Sequence, residues 1–289
     1  MHKKTLHEAD DKRRAIIVAL DPTAPGSAGL ELLRDLAIER DRRLLGLFIE
    51  DTELLAHAQN RLATEIVLSG AARPLDFAQL EAQLNAQSLE IRRVFEREAA
   101  RLGLPHAFRT RRGRLVSELA IAAADADMLV IELTRLATAK QSVWTNQLEQ
   151  LCLAELPDVL YAREGWTTGS TVLAIIDDPA DVETSGRAAA SLARAGSISL
   201  TLLLGEQSHT HESEIEAGLR RHSPDTVVRI ERLRAASLTA RTLAYLAQAG
   251  NARALVAPAR VTRRDANLVR ELLRLTRCSV MIASSALSN

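Results

Sequence analysis

The sequence predicts an α/β fold of two tandem Rossmann-like domains, and three observations carry that prediction. Short apolar runs alternate with stretches of helical periodicity, the pattern of parallel strands covered by helices on both faces. The opening stretch RAIIVALDPTAPGSAGLELL (Arg14 to Leu33) has a counterpart in TVLAIIDDPADVETSGRAAASLARAG (Thr171 to Gly196): an apolar run ends in acid, then come proline, a turn and a helix. The same order of strands and helices then repeats along both parts of a 289-residue chain, a length that suits roughly two domains.

In the first part, the run Ile16 to Asp21 is a strand ending in a carboxylate, and Leu32, Leu33, Leu36 and Ala37 give the next helix its apolar face. Arg42–Glu50 is a second strand. The stretch Asp51–Leu104 is an insertion with a helix from about Asp76 to Leu102, striped by Leu80, Leu84, Ile91, Phe95 and Leu102. That stripe suits either a partner-binding helix or a crossover lying on the sheet, and a parallel connection needs the latter in any case. His106–Arg114 is a third strand with one polar face, Met128–Ile131 a fourth and Asp158–Ala162 a fifth, each preceded by helix. The second part repeats the series. Its strands are Val172–Ile176, Ser197–Gly205, Val227–Arg234, Ala254–Ala257 and Ser279–Ala283, and its first helix buries Ala188, Ser191, Leu192 and Ala195. Residues 1–12 read as a disordered tail, 13–163 as the first domain, 164–169 as a linker within the Gly-, Thr- and Ser-containing stretch REGWTTGS (Arg163–Ser170), and 170–289 as the second domain.

Three features, IIVALD (Ile16–Asp21), DMLVI (Asp127–Ile131) and ELLRLTRCSVMIA (Glu271–Ala283), resemble the universal stress protein family, and the segment GLFIEDTELLAHA (Gly46–Ala58) resembles a tandem bacterial branch of it. The resemblance implies a five-stranded parallel sheet in the order 3-2-1-4-5 in each domain, helices on both faces, and a ligand crevice at the switch point between strands one and four. It also implies a pseudo-dimer of the two domains through their fifth strands, at Val159–Tyr161 and Val280–Ile282. In nucleotide-binding relatives the strand-one acid meets adenosine, and a loop of the form G-x-x-G-x9-G-[S/T] after strand four wraps the phosphates. Glycine is needed there because backbone N–H groups must approach phosphate oxygens closely.

This chain lacks that loop. Glu132, Arg135, Thr145 and Asn146 stand at its positions in the first domain, and no glycine occurs between Gly113 and Gly165. In the second domain PARVTRRDAN (Pro258–Asn267) is too short, and Gly250 is the last glycine of the chain. ATP is therefore disfavoured and no cofactor is expected. The candidate ligand crevice comprises Asp21, Ile49, Glu132, Arg135, Thr145 and Asn146, with Arg260, Arg263 and Arg264 as a side-chain anion site in the second domain. The alternative for these arginines is a solvated loop paired with Asp265 and Glu271. Asp21, Asp177 and Asp178 can also be helix-terminal or turn acids.

The remaining features exclude more than they suggest. Basic and acidic residues number 37 each, so no net field draws nucleic acid or an anionic membrane. The basic run RTRRGR (Arg109–Arg114) lacks interleaved aromatics and reads as a charged strand edge that discourages sheet association. His209, His211, Glu212 and His222 lack well-spaced metal ligands, so no metal is expected. Arg270, Arg274 and Arg277 lie opposite Leu268, Leu272 and Leu275 as the wet face of a helix. Cys152 and Cys278 read as buried, inert thiols in a reducing compartment. No apolar stretch approaches membrane-spanning length, and no G-x-S-x-G, H-E-x-x-H or G-x-x-x-x-G-K-[S/T] motif occurs. The expectation is a cytoplasmic, non-enzymatic stress protein acting by binding or contact with an unknown protein partner, with a homodimer open. The alternatives are a nucleotide or anion binder using the Asp21 crevice or the Arg260–Arg264 loop, and a small-molecule enzyme on the same scaffold.

Overall fold

The computed structural model describes residues 15–20, 30, 33–34, 36–38, 41–52, 56, 64–66, 72–74, 77–124, 126–133, 156–163, 169–234 and 238–284. The first half contributes β1 (Ala15–Ala19), β2 (Arg43–Asp51), β3 (Thr64–Ile66), β4 (Ala72–Pro74), α1 (Phe77–Arg101), β5 (His106–Gly113), α2 (Leu115–Ala123), β6 (Met128–Leu133) and β7 (Asp158–Arg163). The second half contributes β8 (Thr171–Ile176), α3 (Ser185–Ala195), β9 (Ser199–Leu204), α4 (Glu212–His222), β10 (Val228–Arg232), α5 (Ala240–Ala249), β11 (Ala252–Pro258), α6 (Ala259–Arg264), α7 (Ala266–Leu275) and β12 (Ser279–Ala283). The expected tail and most of the expected linker lie outside the described residues.

Among the described residues, ten strands form one sheet in the order β10-β9-β8-β11-β12-β7-β6-β1-β2-β5. Each half is thus a parallel 3-2-1-4-5 sheet, as the resemblance implies. Strand side chains alternate between two apolar layers. Ile16 and Val18 enter the layer that holds Leu30, Leu33, Phe95, Leu192 and Leu219. Ala15, Ile17 and Ala19 enter the opposite layer with Leu119, Leu243, Val269 and Leu272. Both faces carry an apolar layer, which is why the inner strand sequences are continuous apolar runs rather than alternating ones.

The halves meet in an antiparallel pair of fifth strands, Val280 opposite Tyr161, Met281 opposite Leu160 and Ile282 opposite Val159. Leu160 and Met281 hold the same position in their respective strands, so the seam has a local pseudo-two-fold axis between them. Its ends obey the same symmetry. Asp158 opens β7, and its carboxylate accepts the Ser284 backbone N–H at 2.9 Å. Ser279 opens β12, and its hydroxyl accepts the Arg163 backbone N–H at 3.0 Å.

The insertion helix α1 lies on β2 and β5, the crossover role. Leu84, Ile91 and Phe95 are buried, and the Phe95 ring covers Gly46, where a Cβ atom would approach ring carbons to 2.9 Å. Two sequence expectations are corrected. The loop expected at Pro258–Asn267 is helical, because Pro258 sits at the N-cap of α6 and Asp265 caps α7 by accepting the Asn267 N–H at 3.1 Å. Leu275, expected on the buried face, ends α7 and is 37% exposed, while Val269 and Leu273 bury instead. The antiparallel pair β3–β4 inside the insertion was not anticipated.

Candidate functional site

In an open parallel sheet the ligand crevice lies beyond the carboxyl ends of the strands on either side of the switch point. For the second half this is the end of β8 against the end of β11. The chain leaves β8 through Asp177 and Asp178 into a 3-10 turn, Pro179–Val182, that is closed by a reciprocal cap. Asp178 accepts the Ala180 N–H at 2.9 Å, and the Asp181 carboxylate accepts the N–H groups of Asp177 and Asp178 at 3.0 Å each. The turn-acid reading holds for Asp178. Gly205, at the end of the neighbouring β9, is required beside this turn, since a Cβ atom there would lie 2.6 Å from an Asp177 carboxylate oxygen.

Arg260 reaches into this crevice from α6. Its Nε donates to Asp181 Oδ1 at 2.7 Å and its Nη1 to Asp177 Oδ2 at 3.3 Å, while Nη2 donates to Asp181 Oδ2. Asp181 is only 3% exposed, so a carboxylate removed from water is compensated by two backbone donors and a bidentate guanidinium. The hydrogen bond to Asp181 raises the Arg260 pKa above the usual arginine value, more than burial lowers it. The partners expected from sequence, Asp265 and Glu271, are engaged elsewhere, Asp265 as the α7 cap and Glu271 with Arg274 at 2.7 Å. Arg263 and Arg264 are exposed in the last turn of α6, where cations complement the helix dipole. Arg260 thus faces three neighbouring carboxylates, Asp177, Asp178 and Asp181.

Sequence reasoning missed Asp181. The signal was present: D-P-A-D places a second acid at the spacing of a reciprocal cap around a proline.

In the first half, Glu132 is buried near the end of β6, beside Ala162 of β7. Met128 lies opposite Ile16 and Ala254 opposite Val172, so Glu132 occupies the position that Pro258 holds in the second half. Ile49 is half-buried on β2, in register with Arg111. Asp21, Arg135, Thr145 and Asn146 lie outside the described residues. The structure therefore brings Arg260 to the second crevice and Glu132 to the edge of the first.

The other candidates have structural partners. Arg112 donates to the buried Glu50 at 2.7 Å and to Glu81 at 3.1 Å, and Arg111 to Glu118 at 2.8 Å, so two arginines of the basic run on the edge strand β5 are ion-paired. His209 Nε2 lies 3.1 Å from the Leu204 carbonyl and His211 Nδ1 lies 3.2 Å from Glu214. No cluster of metal-ligating side chains occurs among the described residues. Cys278 is buried, and burial pushes its thiol up to about 11; Cys152 lies outside the described residues. Among the described residues, no helix is long and apolar enough to cross a membrane.

No family model and no curated protein matches this chain. Solved structures do. A universal stress protein from Archaeoglobus fulgidus DSM 4304 is 11% identical at a TM-score of 0.66, over 94% of this chain and 98% of that one. A candidate universal stress protein from Pseudomonas aeruginosa UCBPP-PA14 is 17% identical at a TM-score of 0.54, over 94% of each chain. The cytoplasmic domain of a prokaryotic cation chloride cotransporter is 13% identical at a TM-score of 0.53, over 95% of this chain and 97% of that one. The fold of this chain is that of the universal stress proteins, in tandem form.

Proposed function

We propose that this chain acts in stress adaptation by binding or by protein contact, without the usual ATP-binding loop and without turnover. The observation that supports it most is the Arg260–Asp177–Asp181 cluster. Arg260, the side chain at the second switch point that could neutralise a phosphate, is already bound to two carboxylates. No glycine follows Gly250 to bring backbone donors to a polyphosphate. In the first half, Glu132 stands where the family loop begins with glycine, and a carboxylate there opposes triphosphate. The same reading places the protein in the cytoplasm, where the buried thiol of Cys278 stays reduced. With both fifth strands paired inside one chain, association with another chain would use a different surface.

The test is direct. Protein purified without added nucleotide is denatured and the supernatant assayed for adenine nucleotide, and ATP is then titrated calorimetrically. No released nucleotide and no saturable heat are expected. Bound ATP, or a dissociation constant below about 50 μM, would instead establish a nucleotide binder. ATP turnover that is lost in Asp21→Ala would establish an enzyme.

A further inference from the structure

The two halves differ sharply on one face of the sheet. Over β8, β9 and β10 lies a cavity of about 430 Å³, within the range of small-ligand sites. The matching region of the first half, over β1, β2 and β5, retains about 10 Å³. The cause is the length of one connection. Only Arg114 separates β5 from α2, which is held down over β1, β2 and β5. Residues 233–239 separate β10 from α5, and α5 packs instead on β11 and α7. Among the described residues, no helix covers the sheet beside it on that face.

The uncovered floor also differs in chemistry. Strand registers match Thr171 to Ala15, Leu173 to Ile17, Thr201 to Leu45 and Leu203 to Leu47. Two apolar positions of the closed half are therefore hydroxyls in the open one. The Thr171 hydroxyl donates to the Ser199 carbonyl at 3.1 Å, and Thr201 Oγ1 lies 3.4 Å from it, leaving the Thr201 hydroxyl hydrogen-bonding capacity. One wall is β10, which presents Arg229 and Glu231 on the same side, about 7 Å apart along the strand. Neither has an ion pair or side-chain hydrogen bond among the described residues. The opposite wall is the C-terminal end of α5, with Leu246, Ala249 and Gly250, where helix carbonyls favour positive charge.

A cation and an anion without partners, set side by side over leucines, complement a small zwitterion with an apolar body. We propose that this cavity binds a free apolar α-amino acid. Arg229 takes the carboxylate in a fork contact, Glu231 and the end of α5 take the ammonium, and Leu173, Leu203 and Leu246 receive the side chain. The Thr201 hydroxyl supplies a further polar contact on the floor. The site is separate from the switch-point crevice and does not depend on whether nucleotide binds there.

Calorimetric titration of the full chain with L-leucine, L-methionine and L-phenylalanine tests this. At least one should bind saturably with a dissociation constant near or below about 1 mM. The N-acetyl derivative of that amino acid, and the amine lacking its carboxylate, should each bind about tenfold more weakly or worse. Arg229→Ala and Glu231→Gln should weaken the parent amino acid to a similar extent, and Ala249→Phe should abolish binding by filling the cavity. Circular dichroism checks that each variant is folded, and the ligand derivatives repeat the test on the unaltered chain. The proposal is overturned by no saturable binding of all three amino acids at about 10 mM, by equal binding of the derivatives, or by undiminished binding in Arg229→Ala.

Discussion

Arg260 shows how a single side chain can change what a crevice is for. Replacing it with alanine leaves Asp181 buried beside Asp177 with its guanidinium partner removed. Because Arg260 is itself 31% exposed, solvent recovers part of the loss, and Arg260→Ala is expected to cost about 2 kcal/mol in urea denaturation. The double variant Arg260→Ala with Asp181→Asn should recover part of that cost, the sign of a coupled pair. Cys278 makes a pH prediction. Its thiol pKa rises to about 11 in the folded chain, so between the ordinary thiol range and that value the folded state holds a proton that the unfolded state has released. Stability is complete below about pH 8.5 and falls as pH rises toward 11, by on the order of 2 kcal/mol, and Cys278→Ala should flatten that slope. At this scale the sequence disclosed residue types and not partners. Arg260 was visible as a candidate, but Asp181 lies 79 positions away from it, and no local pattern couples the two.

Elements were legible where their period ran long enough. The strand AIIVA and the helix Phe77–Arg101 declare themselves by unbroken apolarity and by a stripe over many turns. The three-residue strands β3 and β4 are too short to show any alternation, and α6 is hidden because ARVTRR has no apolar stripe and is a helix only through its packing and its Pro258 start. The fit of α1 to the sheet yields a further prediction. Gly46→Ala places a methyl group inside the contact distance of the Phe95 ring and should destabilise by about 1–3 kcal/mol in chemical denaturation. Phe95→Ala removes the ring and should cost about 3–5 kcal/mol, but Gly46→Ala added to it should cost little more, because the atoms it would strike are gone.

At the scale of the whole molecule, one sheet runs through both halves, so unfolding should be a single cooperative transition in calorimetry. Met281→Lys puts an ammonium group at the centre of the seam, where Met281 is fully buried opposite Leu160. It should lower the melting temperature and split the transition into two, one for each half, since a buried unpaired charge disfavours the pairing and leaves the separate layers otherwise intact. The tandem 3-2-1-4-5 order was readable from the repeated strand-helix series together with the family resemblance, whereas the displacement of α5 was not, because it depends on where a helix settles after a loop. The internal axis at Leu160 and Met281 has an evolutionary consequence. In an assembly of identical subunits every mutation is written twice, so a change useful in one place is imposed on its mirror image. Joining two copies in one chain ends that obligation, and here one half can place an ion-paired arginine at its crevice and open a floor elsewhere while its twin keeps that floor covered.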